Sequence, residues 1–345
     1  MRERIDRLRE SLAEPLLVTN PFNVRYLCGL ASSNAALLVE PERVRLFTDF
    51  RYAERARAIR GVETVVTRRN LFGNLAELLS GRVALEADHI TVRQQETLAS
   101  GGTELVPTSG LVQALREMKD SAELAAIRRA GAIVNEAFEL LAAEPFVGRT
   151  ERELVWRMRE LMHELGSDEA SFDAVVASGE TGSSPHAVPS DKRIEVGETV
   201  VIDAGCKVNG YCSDCTRTFA TGPLPVELER AYGVVLRAQL AGLAAVRPGA
   251  SGVEVDGVAR EIIAAEGFGE HFGHGLGHGI GLEVHEGPWL NPERSSMLAV
   301  GNAVTVEPGI YLAGLGGIRI EDLVVVGEDG PEVLTPFTKE LVTVT

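Results

Sequence analysis

The sequence contains few cysteines and no long apolar segment, and each shortage excludes a class of protein. Four cysteines in 345 residues are too few for a disulfide framework in a chain of this length. No stretch approaches the ~20 consecutive apolar residues of a membrane helix. The start, MRERIDRLRE, alternates charges where a secretory signal would need an apolar run. We therefore expect a cytoplasmic protein that makes no contact with a membrane.

Basic residues are also in the minority. The chain has 34 Lys and Arg against 50 Asp and Glu, which gives a formal net charge of −16. A chain this acidic repels phosphate backbones, so nucleic acid is a poor candidate partner, whereas small molecules, peptides and cations fit. Hydrophobic residues make up 45% of the chain, which is enough for a sizeable core. At about 100–200 residues per domain, the length predicts two domains.

The pattern of apolar residues changes near residue 120, and this change predicts a domain boundary. From residue 16 to 109, β-rich runs such as PLLVT and AALLVE alternate with short helical patterns, as in a small α/β domain. At Asp120 a long helix begins behind a capping box with Glu123. We therefore predict an N-terminal domain over residues 1–118 and a C-terminal domain over residues 119–345.

The C-terminal domain follows one pattern twice. Two helices, the second beginning near Glu151 behind Thr150, precede a group of strands, and the same order then restarts. The predicted elements are strands at 172–177, 199–205 and 211–220, helices at 225–246 and 253–266, and strands at 303–311 and 318–326. Residues 197–205 and 301–309 share the motif G-x-x-V-x-[IV]-[DE]-x-G. The sequence thus predicts an α+β domain with an internal pseudo-twofold duplication.

The repeated motif carries an acid inside an apolar strand, where a charge needs a cation or hydrogen-bond donors. In the first copy, Asn209-Gly210 joins two strands and is a strong hairpin signal. A two-residue turn at this point sets Asp203 opposite Thr216. Asp214 then lies two residues along on the same face, as a diagonal neighbour of Asp203. Two like charges at this distance need to be neutralised.

The second copy repeats this arrangement. Glu307 lies on one strand and Glu321 on the next, so four carboxylates from two equivalent hairpins can converge on one place. An alternative is that acids pair with basic neighbours, Arg217 with Asp214 and Arg319 with Glu321.

Histidines are concentrated in one short segment. Four of the seven lie in residues 271–285, which read HFGHGLGHGIGLEVH. Glycine at every second position from 273 to 281 argues against a helix and favours an extended, closely approached backbone. The glycines match no phosphate-binding motif, so a nucleotide site is not favoured. Beside the in-strand acids, the histidines predict an oxygen-rich site for two divalent metal ions, Mn²⁺ or Co²⁺, with Zn²⁺ as a further candidate.

The remaining candidate groups are interpreted as structural. Cys212 and Cys215 form a C-x-x-C, but the sequence has no second such pair to complete a zinc site. Buried thiols are therefore favoured over a zinc or redox role. His89 and His163 lie outside the histidine-rich segment, and Glu283 within it is expected to be structural.

Five motifs together resemble the creatinase/methionine aminopeptidase ("pita-bread") metallopeptidases, specifically the branch of proline dipeptidases and aminopeptidases P. The motifs are VVIDAG, SDCTRTF, GHGIGLEVHE, VEPGIY and GGIRIED. The resemblance covers the whole chain and implies a C-terminal pita-bread catalytic domain after a smaller creatinase-like N-terminal domain. It further implies a homodimer that hydrolyses the Xaa-Pro bond at the N-terminus of small proline-containing peptides with the help of metal ions.

The resemblance also assigns roles to particular residues. It implies a dinuclear site whose five ligands are Asp203, Asp214, His278, Glu307 and Glu321. In that chemistry, a hydroxide held between the two ions attacks the peptide carbonyl. The other implied roles are a proton shuttle for Glu307, oxyanion stabilisation for His285 and His274, and substrate contact for His186.

One departure from the family pattern concerns substrate length. Some dipeptidases of the family carry an arginine shortly after the motif that corresponds to Glu286-Gly-Pro288, where it can hold the substrate carboxylate. In this chain Trp289 follows. Aminopeptidase action on longer peptides is therefore favoured over strict dipeptidase action. Two alternatives stay open: a metal-independent creatinase-like hydrolase and a non-catalytic peptide-binding homologue.

Overall fold

Helices and strands alternate along most of the chain, and the computed structural model describes residues 1–294 and 296–345. They form two units, Met1–Arg116 and Glu117–Thr345. Each unit has buried hydrophobic clusters of its own. Among the described residues, no helix has both the length and the apolar character that a bilayer span requires.

The first unit is built on one mixed six-stranded sheet. Its strands are β1 (Leu16–Val18), β2 (Ala35–Val39), β3 (Val44–Asp49), β4 (Glu63–Thr67), β5 (Arg82–Glu86) and β6 (Glu104–Thr108). Its helices are α1 (Arg2–Glu10), α2 (Pro21–Cys28), α3 (Ala53–Arg57), α4 (Leu71–Leu78), α5 (Val92–Ala99) and α6 (Leu111–Glu117). The sheet order is β4-β3-β2-β1-β5-β6, with β1–β5, β3–β4 and β5–β6 parallel. The α/β architecture predicted for this part of the chain is confirmed.

The second unit contains four long helices and thirteen strands within the described residues. The helices are α7 (Ser121–Ala142), α8 (Glu151–Glu164), α9 (Val226–Ala245) and α10 (Gly252–Ala265). The strands before α9 are β7 (Glu169–Ala170), β8 (Val175–Ser178), β9 (Thr199–Ala204), β10 (Cys206–Val208), β11 (Tyr211–Cys212) and β12 (Cys215–Ala220). Those after α10 are β13 (Gly277–Gly279), β14 (Glu286–Leu290), β15 (Ala303–Val306), β16 (Gly309–Leu312), β17 (Gly316–Arg319), β18 (Asp322–Val326) and β19 (Pro331–Val333).

Side-chain caps fix where the first two of these helices begin. The Asp120 carboxylate accepts from the backbone N–H of Glu123 at 2.9 Å, and the Glu123 carboxylate accepts from the N–H of Asp120 at 2.8 Å. Thr150 and Glu153 make the same reciprocal pair at the start of α8. Each such cap stabilises a helix by ~0.5–2 kcal/mol. Both predicted helix starts are confirmed.

The predicted hairpin register is also confirmed. Thr216 lies opposite Asp203 in the β9–β12 ladder, and Lys207 lies opposite Cys212 in the β10–β11 ladder, which continues the same register. Asn209 and Gly210 have φ values of 51° and 81°, the left-handed conformation that a tight two-residue hairpin turn requires. The two acids of the first copy are therefore placed as the sequence arithmetic predicts.

The order of two helices followed by a hairpin sheet occurs twice in the second unit. Side chains of α7 and α8 share a hydrophobic cluster with β9 and β12, which belong to the sheet β12-β9-β8. Side chains of α9 and α10 share another cluster with β15 and β18, which belong to the sheet β14-β13-β15-β18-β19. This is the internal duplication that the repeated motif predicts.

The predicted strands of both copies are interrupted, at Asp214 in the first copy and at both acids in the second. In the second copy, 303–311 splits into β15 and β16, and 318–326 splits into β17 and β18. The ladders on the two sides keep one register, with Val306 opposite Asp322 and Gly309 opposite Arg319, so Glu307 and Glu321 lie opposite each other. Pro308 cannot donate a backbone hydrogen bond, which explains why the ladder breaks there.

A buried arginine ties the first sheet to the end of the chain. Arg217, in β12, is 1% exposed, and its guanidinium donates to the Asp322 carboxylate at 2.8 Å. It also donates to the carbonyl oxygens of Thr335 at 2.9 Å and Phe337 at 2.6 Å. These acceptors match the buried charge, which would otherwise be costly. The expected alternative partner, Asp214, is therefore not the partner of Arg217.

Candidate active site

The candidate residues surround a cavity of about 380 Å³ in the second unit. Its lining includes Asp203, Asp214, Glu307, His186, His274, His278 and His285. Glu321, the remaining candidate, lies behind this lining and is 1% exposed. The structure therefore brings together the residues that the motifs and the family resemblance single out.

Each candidate acid lies at or near a point where strand pairing stops. Asp203 is at the end of β9, and Asp214 falls between β11 and β12. Glu307 falls between β15 and β16, and Glu321 between β17 and β18. His278 is the middle residue of β13. The two equivalent breaks bring two carboxylates from each copy to a shared centre.

The side chains at this centre approach closely. Asp214, His278 and Glu321 are buried, and one ligand-type atom of each lies within 4.8 Å of those of the other two. His278 Nε2 is 3.3 Å from Glu307 Oε1 and 3.7 Å from Asp214 Oδ2. His278 Nδ1 is 3.1 Å from the Gly279 carbonyl oxygen. Burial lowers the pKa of His278, but the hydrogen bond and charge of Glu307 outweigh it and raise this pKa, so without a metal ion Nε2 carries a proton toward Glu307. Displacement of this proton by a bound cation would leave the Nε2 lone pair directed at the centre, as a metal ligand requires, with Nδ1 donating to Gly279.

Several carboxylate oxygens at this centre lack a donor. Within the described residues, Asp203 Oδ1, Asp214 Oδ1 and Glu321 Oε1 are buried without a hydrogen-bond partner. Two of the remaining oxygens accept hydrogen bonds: Arg319 donates to Asp203 Oδ2 at 2.6 Å, and Thr216 donates to Glu321 Oε2 at 2.8 Å. Buried charges without a partner are costly unless a cation neutralises them. The donor set therefore fits divalent cations with oxygen-rich coordination.

The electrostatics of the carboxyl groups lead to the same conclusion. Burial, and then the charge of Glu321, raises the pKa of Asp214 well above its ordinary value. Burial and the charges of Glu307 and Asp203 raise the pKa of Glu321 in the same way. Burial also opposes ionisation of Glu307, but the hydrogen bond and charge of His278 outweigh it and lower this pKa to about 2. Mutual repulsion between close acids is what bound cations relieve.

A buried network that the sequence did not reveal supports one wall of the cavity. Arg319 donates to the Tyr311 hydroxyl oxygen at 2.9 Å, and this hydroxyl lies 3.0 Å from His274 Nε2. His274 Nδ1 is 2.8 Å from the Gly275 carbonyl oxygen. Arg319 thus pairs with Asp203 rather than with Glu321, the partner considered from the sequence. In the sequence, the one indication of a partner for Arg319 is its nearness along the chain to Glu321.

Two other histidines line the cavity. His285 and His186 are both partly exposed to solvent, in contrast to the buried His278. The ring of His285 meets the ring of His278 edge to face, with centroids 4.3 Å apart. Burial, and then the neighbouring His278, lowers the pKa of His285, which favours its neutral form. His89 and His163, interpreted as structural, are not part of the cavity lining.

The glycines of the histidine-rich segment allow backbones to approach each other. A Cβ atom at Gly277 would overlap the carbonyl oxygen of Thr305, and one at Gly279 would overlap that of Gly287. The segment forms the short strand β13 between β14 and β15. This agrees with the extended, closely approached backbone predicted from the alternating glycines.

The cysteines are buried free thiols. Burial raises the pKa of both Cys212 and Cys215 to about 12, so neither is a thiolate at neutral pH. Cys212 Sγ lies 3.8 Å from the carbonyl oxygen of Leu282, and Cys215 Sγ lies 3.5 Å from that of Glu321. These contacts agree with the interpretation of buried structural thiols.

Comparison with known proteins gives the same family as the motifs that form the site. The uncharacterized peptidase YqhT of Bacillus subtilis (strain 168) is 38% identical over 334 residues, which cover 95% of each chain. The structure of an Xaa-Pro dipeptidase from Bacillus anthracis matches with a TM-score of 0.95 and 37% identity, over 99% of each chain. That of an X-Pro aminopeptidase from Thermotoga maritima MSB8 matches with a TM-score of 0.88 and 33% identity, over 98% of this chain and 100% of that one.

The family matches cover both units. Residues 4–118 match the creatinase/prolidase N-terminal domain, and residues 125–328 match metallopeptidase family M24. The resemblance inferred from the motifs is therefore confirmed, as is the two-domain fold class. On the evidence of the duplicated fold, the acid- and histidine-lined cavity and these matches, the chain belongs to metallopeptidase family M24.

Proposed function

We propose that this protein is a metal-dependent exopeptidase that hydrolyses the Xaa-Pro bond at the N-terminus of peptides, as an Xaa-Pro aminopeptidase or an Xaa-Pro dipeptidase. The observation that carries the proposal is the convergence of four acids and His278 on one cavity, with three buried carboxylate oxygens left without donors. The names of the structurally similar Xaa-Pro peptidases support this substrate class.

Two divalent ions would be held by Asp203, Asp214, His278, Glu307 and Glu321. The oxygen-rich donor set favours Mn²⁺, with Co²⁺ or Zn²⁺ as further candidates. When bound, such ions supply Lewis acidity, which polarises the scissile carbonyl and makes the attacking water more acidic.

Glu307 is proposed to carry the proton from the attacking water to the leaving nitrogen. Its Oε1 accepts from the Thr305 hydroxyl at 3.2 Å and lies 3.3 Å from His278 Nε2, so its orientation is fixed from two sides. A carboxylate held in this way is positioned for general acid–base catalysis at the cavity wall. The leaving imide nitrogen of proline needs such a proton donor.

The three other histidines are proposed to act on the substrate directly. His285 and His274 border the cavity and would donate to the oxyanion that forms on the carbonyl, while His186 would contact the substrate near the scissile bond. His274 Nε2 already contacts the Tyr311 hydroxyl. Its donation to the substrate therefore requires that contact to be exchanged for one with the oxyanion.

Substrate length is proposed to depend on the guanidinium groups that a peptide carboxylate can reach. The Arg294 guanidinium lies over the Trp289 ring, 4.9 Å from its centroid, and Arg294 is not part of the described cavity lining. Arg319 is the one arginine in the described cavity lining, and its guanidinium already serves Asp203, Tyr311 and Thr216. Within the described lining, a dipeptide carboxylate would therefore find no unoccupied guanidinium. This supports action on longer peptides alongside any dipeptidase activity.

The remaining parts of the proposal concern organisation. Residues 119–345 would form the catalytic domain and residues 1–118 a non-catalytic domain, in a cytoplasmic homodimer. The substrates would be small proline-containing peptides, because the cavity of about 380 Å³ holds only a few residues. The net charge of −16 argues against nucleic acid as a partner.

The deciding experiment is elemental analysis coupled to peptide hydrolysis. An Xaa-Pro dipeptide and an Xaa-Pro-Xaa tripeptide are assayed before chelation, after chelation and after Mn²⁺ is added back. We expect loss and then recovery of cleavage. His278→Ala should lose metal and activity together, whereas His163→Ala, which changes an exposed histidine outside the cavity lining, serves as the control.

The other outcomes separate the alternatives. Cleavage that survives exhaustive chelation would favour the metal-independent creatinase-like hydrolase. Binding of peptides without turnover by metal-loaded protein would favour the non-catalytic homologue. Comparison of the two substrate lengths distinguishes aminopeptidase from dipeptidase action.

A further inference from the structure

A buried ion pair lies beneath the loop that carries His285, and the proposed mechanism does not use it. Lys119 Nζ is 3.0 Å from Glu286 Oε1, and the two side chains are only 1% and 6% exposed. The residues are 167 positions apart in the sequence. Charges buried to this degree need a specific partner, so each fixes the position of the other.

Glu286 holds the inside of the loop together. It directly follows His285, and its Oε2 accepts from the backbone N–H of Glu283 at 3.3 Å. The Glu286 carboxylate also packs so closely on Gly281 that a Cβ atom there would overlap it. The carboxylate therefore contacts the turn over residues 281–286 at Gly281 and at Glu283, and Lys119 binds the same carboxylate.

Lys119 is itself fixed to the strand that leads to Glu307. Its backbone N–H donates to the Gly301 carbonyl oxygen at 3.3 Å, and the Asn302 side chain donates to the Glu117 carbonyl oxygen at 2.9 Å. Residues 301 and 302 immediately precede β15. The ion pair thus connects the His285 loop to the framework of the metal centre.

His285 needs such support because the residue is partly exposed to solvent and its ring makes an edge-to-face contact with His278, with centroids 4.3 Å apart. We infer that Lys119 and Glu286 are positioning residues, which hold the loop so that the His285 ring faces the cavity beside His278. This inference rests on the proposed function, in which His285 donates to the oxyanion. A misplacement of about 1 Å in such a donor can lower a rate by ~100-fold.

The test compares Lys119→Met with Lys119→Arg and with a control, Lys192→Met. Lys192 makes a partly buried ion pair with Glu198 at 2.8 Å, and neither residue is part of the cavity lining. In Lys119→Met we expect kcat to fall about 10- to 100-fold with KM changed less than about threefold and metal content unchanged. Lys119→Arg should restore much of kcat, and Lys192→Met should keep it.

A double-mutant cycle with His285→Ala separates positioning from a general structural effect. If Lys119 acts through His285, Lys119→Met should change kcat less than about threefold in the His285→Ala background, because the two losses are not additive. An equal fall in kcat in both backgrounds would overturn the inference. If Lys119→Met does not fold, Lys119→Met/Glu286→Gln removes both charges together and is compared in the same cycle.

A readout independent of activity uses the histidine NMR signals of the metal-free protein. The His285 signal is assigned by its loss in His285→Ala. Lys119→Met should shift or broaden this signal, and Lys192→Met should leave it in place. An unmoved His285 signal overturns the positioning role, whereas failure of wild-type protein to cleave any Xaa-Pro peptide overturns the proposed function alone.

Discussion

Thr216→Val is the substitution that most directly tests how the carboxylates are held. Thr216 is fully buried, and its hydroxyl donates to Glu321 Oε2 at 2.8 Å while it accepts from Arg319 Nε at 3.0 Å. Valine has nearly the same shape, so the change removes two hydrogen bonds to charged groups without opening a cavity. Both Glu321 and Arg319 would then lose a partner inside the protein.

The expected size of the effect follows from these contacts. A hydrogen bond to a charged group contributes ~1.5–3 kcal/mol, and loss of a group that orients a metal ligand lowers metal affinity by ~10–100-fold. We therefore expect Mn²⁺ affinity to fall by this factor. Two such bonds amount to ~3–6 kcal/mol, so at ~2–4 °C for each kcal/mol in a domain of this size the Tm of the metal-free protein should fall by about 6–24 °C.

The assay is competition for Mn²⁺ with a chelator of known affinity, together with thermal unfolding of the metal-free protein. Thr218→Val is the matched control, because among the described residues the buried Thr218 hydroxyl bonds the backbone of Arg319 alone, at 2.9 and 3.0 Å. This control should lower Tm and leave metal affinity within about threefold. Equal metal affinities in Thr216→Val and wild-type protein would refute the assignment of Glu321 as a ligand oriented by Thr216.

Three further predictions concern pH, substrate length and the thiols. Burial, followed by the charges of neighbouring carboxylates, raises the pKa of Asp214 and Glu321, so the folded metal-free protein holds protons that the unfolded chain releases. The Tm of the metal-free protein should therefore fall as the pH rises from about 5 to 8. A Tm that rises over this range in the presence of chelator would contradict this. Trp289→Arg should lower the KM for an Xaa-Pro dipeptide about tenfold, because a charge-assisted bond to the substrate carboxylate adds ~1.5–3 kcal/mol. The KM for the C-terminal amide of the same dipeptide should stay unchanged. Equal changes in the two KM values would count against a carboxylate clamp. Burial raises the pKa of Cys212 and Cys215 to about 12, so dithionitrobenzoate should modify none of the native thiols and all four in guanidinium; rapid labelling of folded protein would show an accessible thiol.

Local signals in the sequence were enough to place the acids of the first copy. Asn209-Gly210 determines the turn, the turn determines the register, and the register sets Asp203 opposite Thr216. The capping pair of Asp120 and Glu123 likewise gave the start of α7. In these cases the physical cause lies within a few residues of the feature it determines.

The partners of the buried arginines could not be read in this way. The alternative considered from the sequence pairs Arg217 with Asp214 and Arg319 with Glu321, but these arginines bind Asp322 and Asp203. Alternation of side chains on a strand places Arg217 on the face opposite Thr216, away from the metal centre. The partners of both arginines are more than a hundred positions away, and only the folded sheets bring these groups together.

The contacts of Arg217 also bear on when the centre can form during synthesis on the ribosome. All five proposed ligands lie at or before residue 321, whereas two carbonyl groups that accept from Arg217 belong to Thr335 and Phe337. A nascent chain that had emerged only as far as Glu321 would hold every proposed ligand but would lack three acceptors of this buried guanidinium, the Asp322 carboxylate and the carbonyl oxygens of Thr335 and Phe337. We therefore expect co-translational assembly of the centre to wait until the segment that follows the last proposed ligand has emerged.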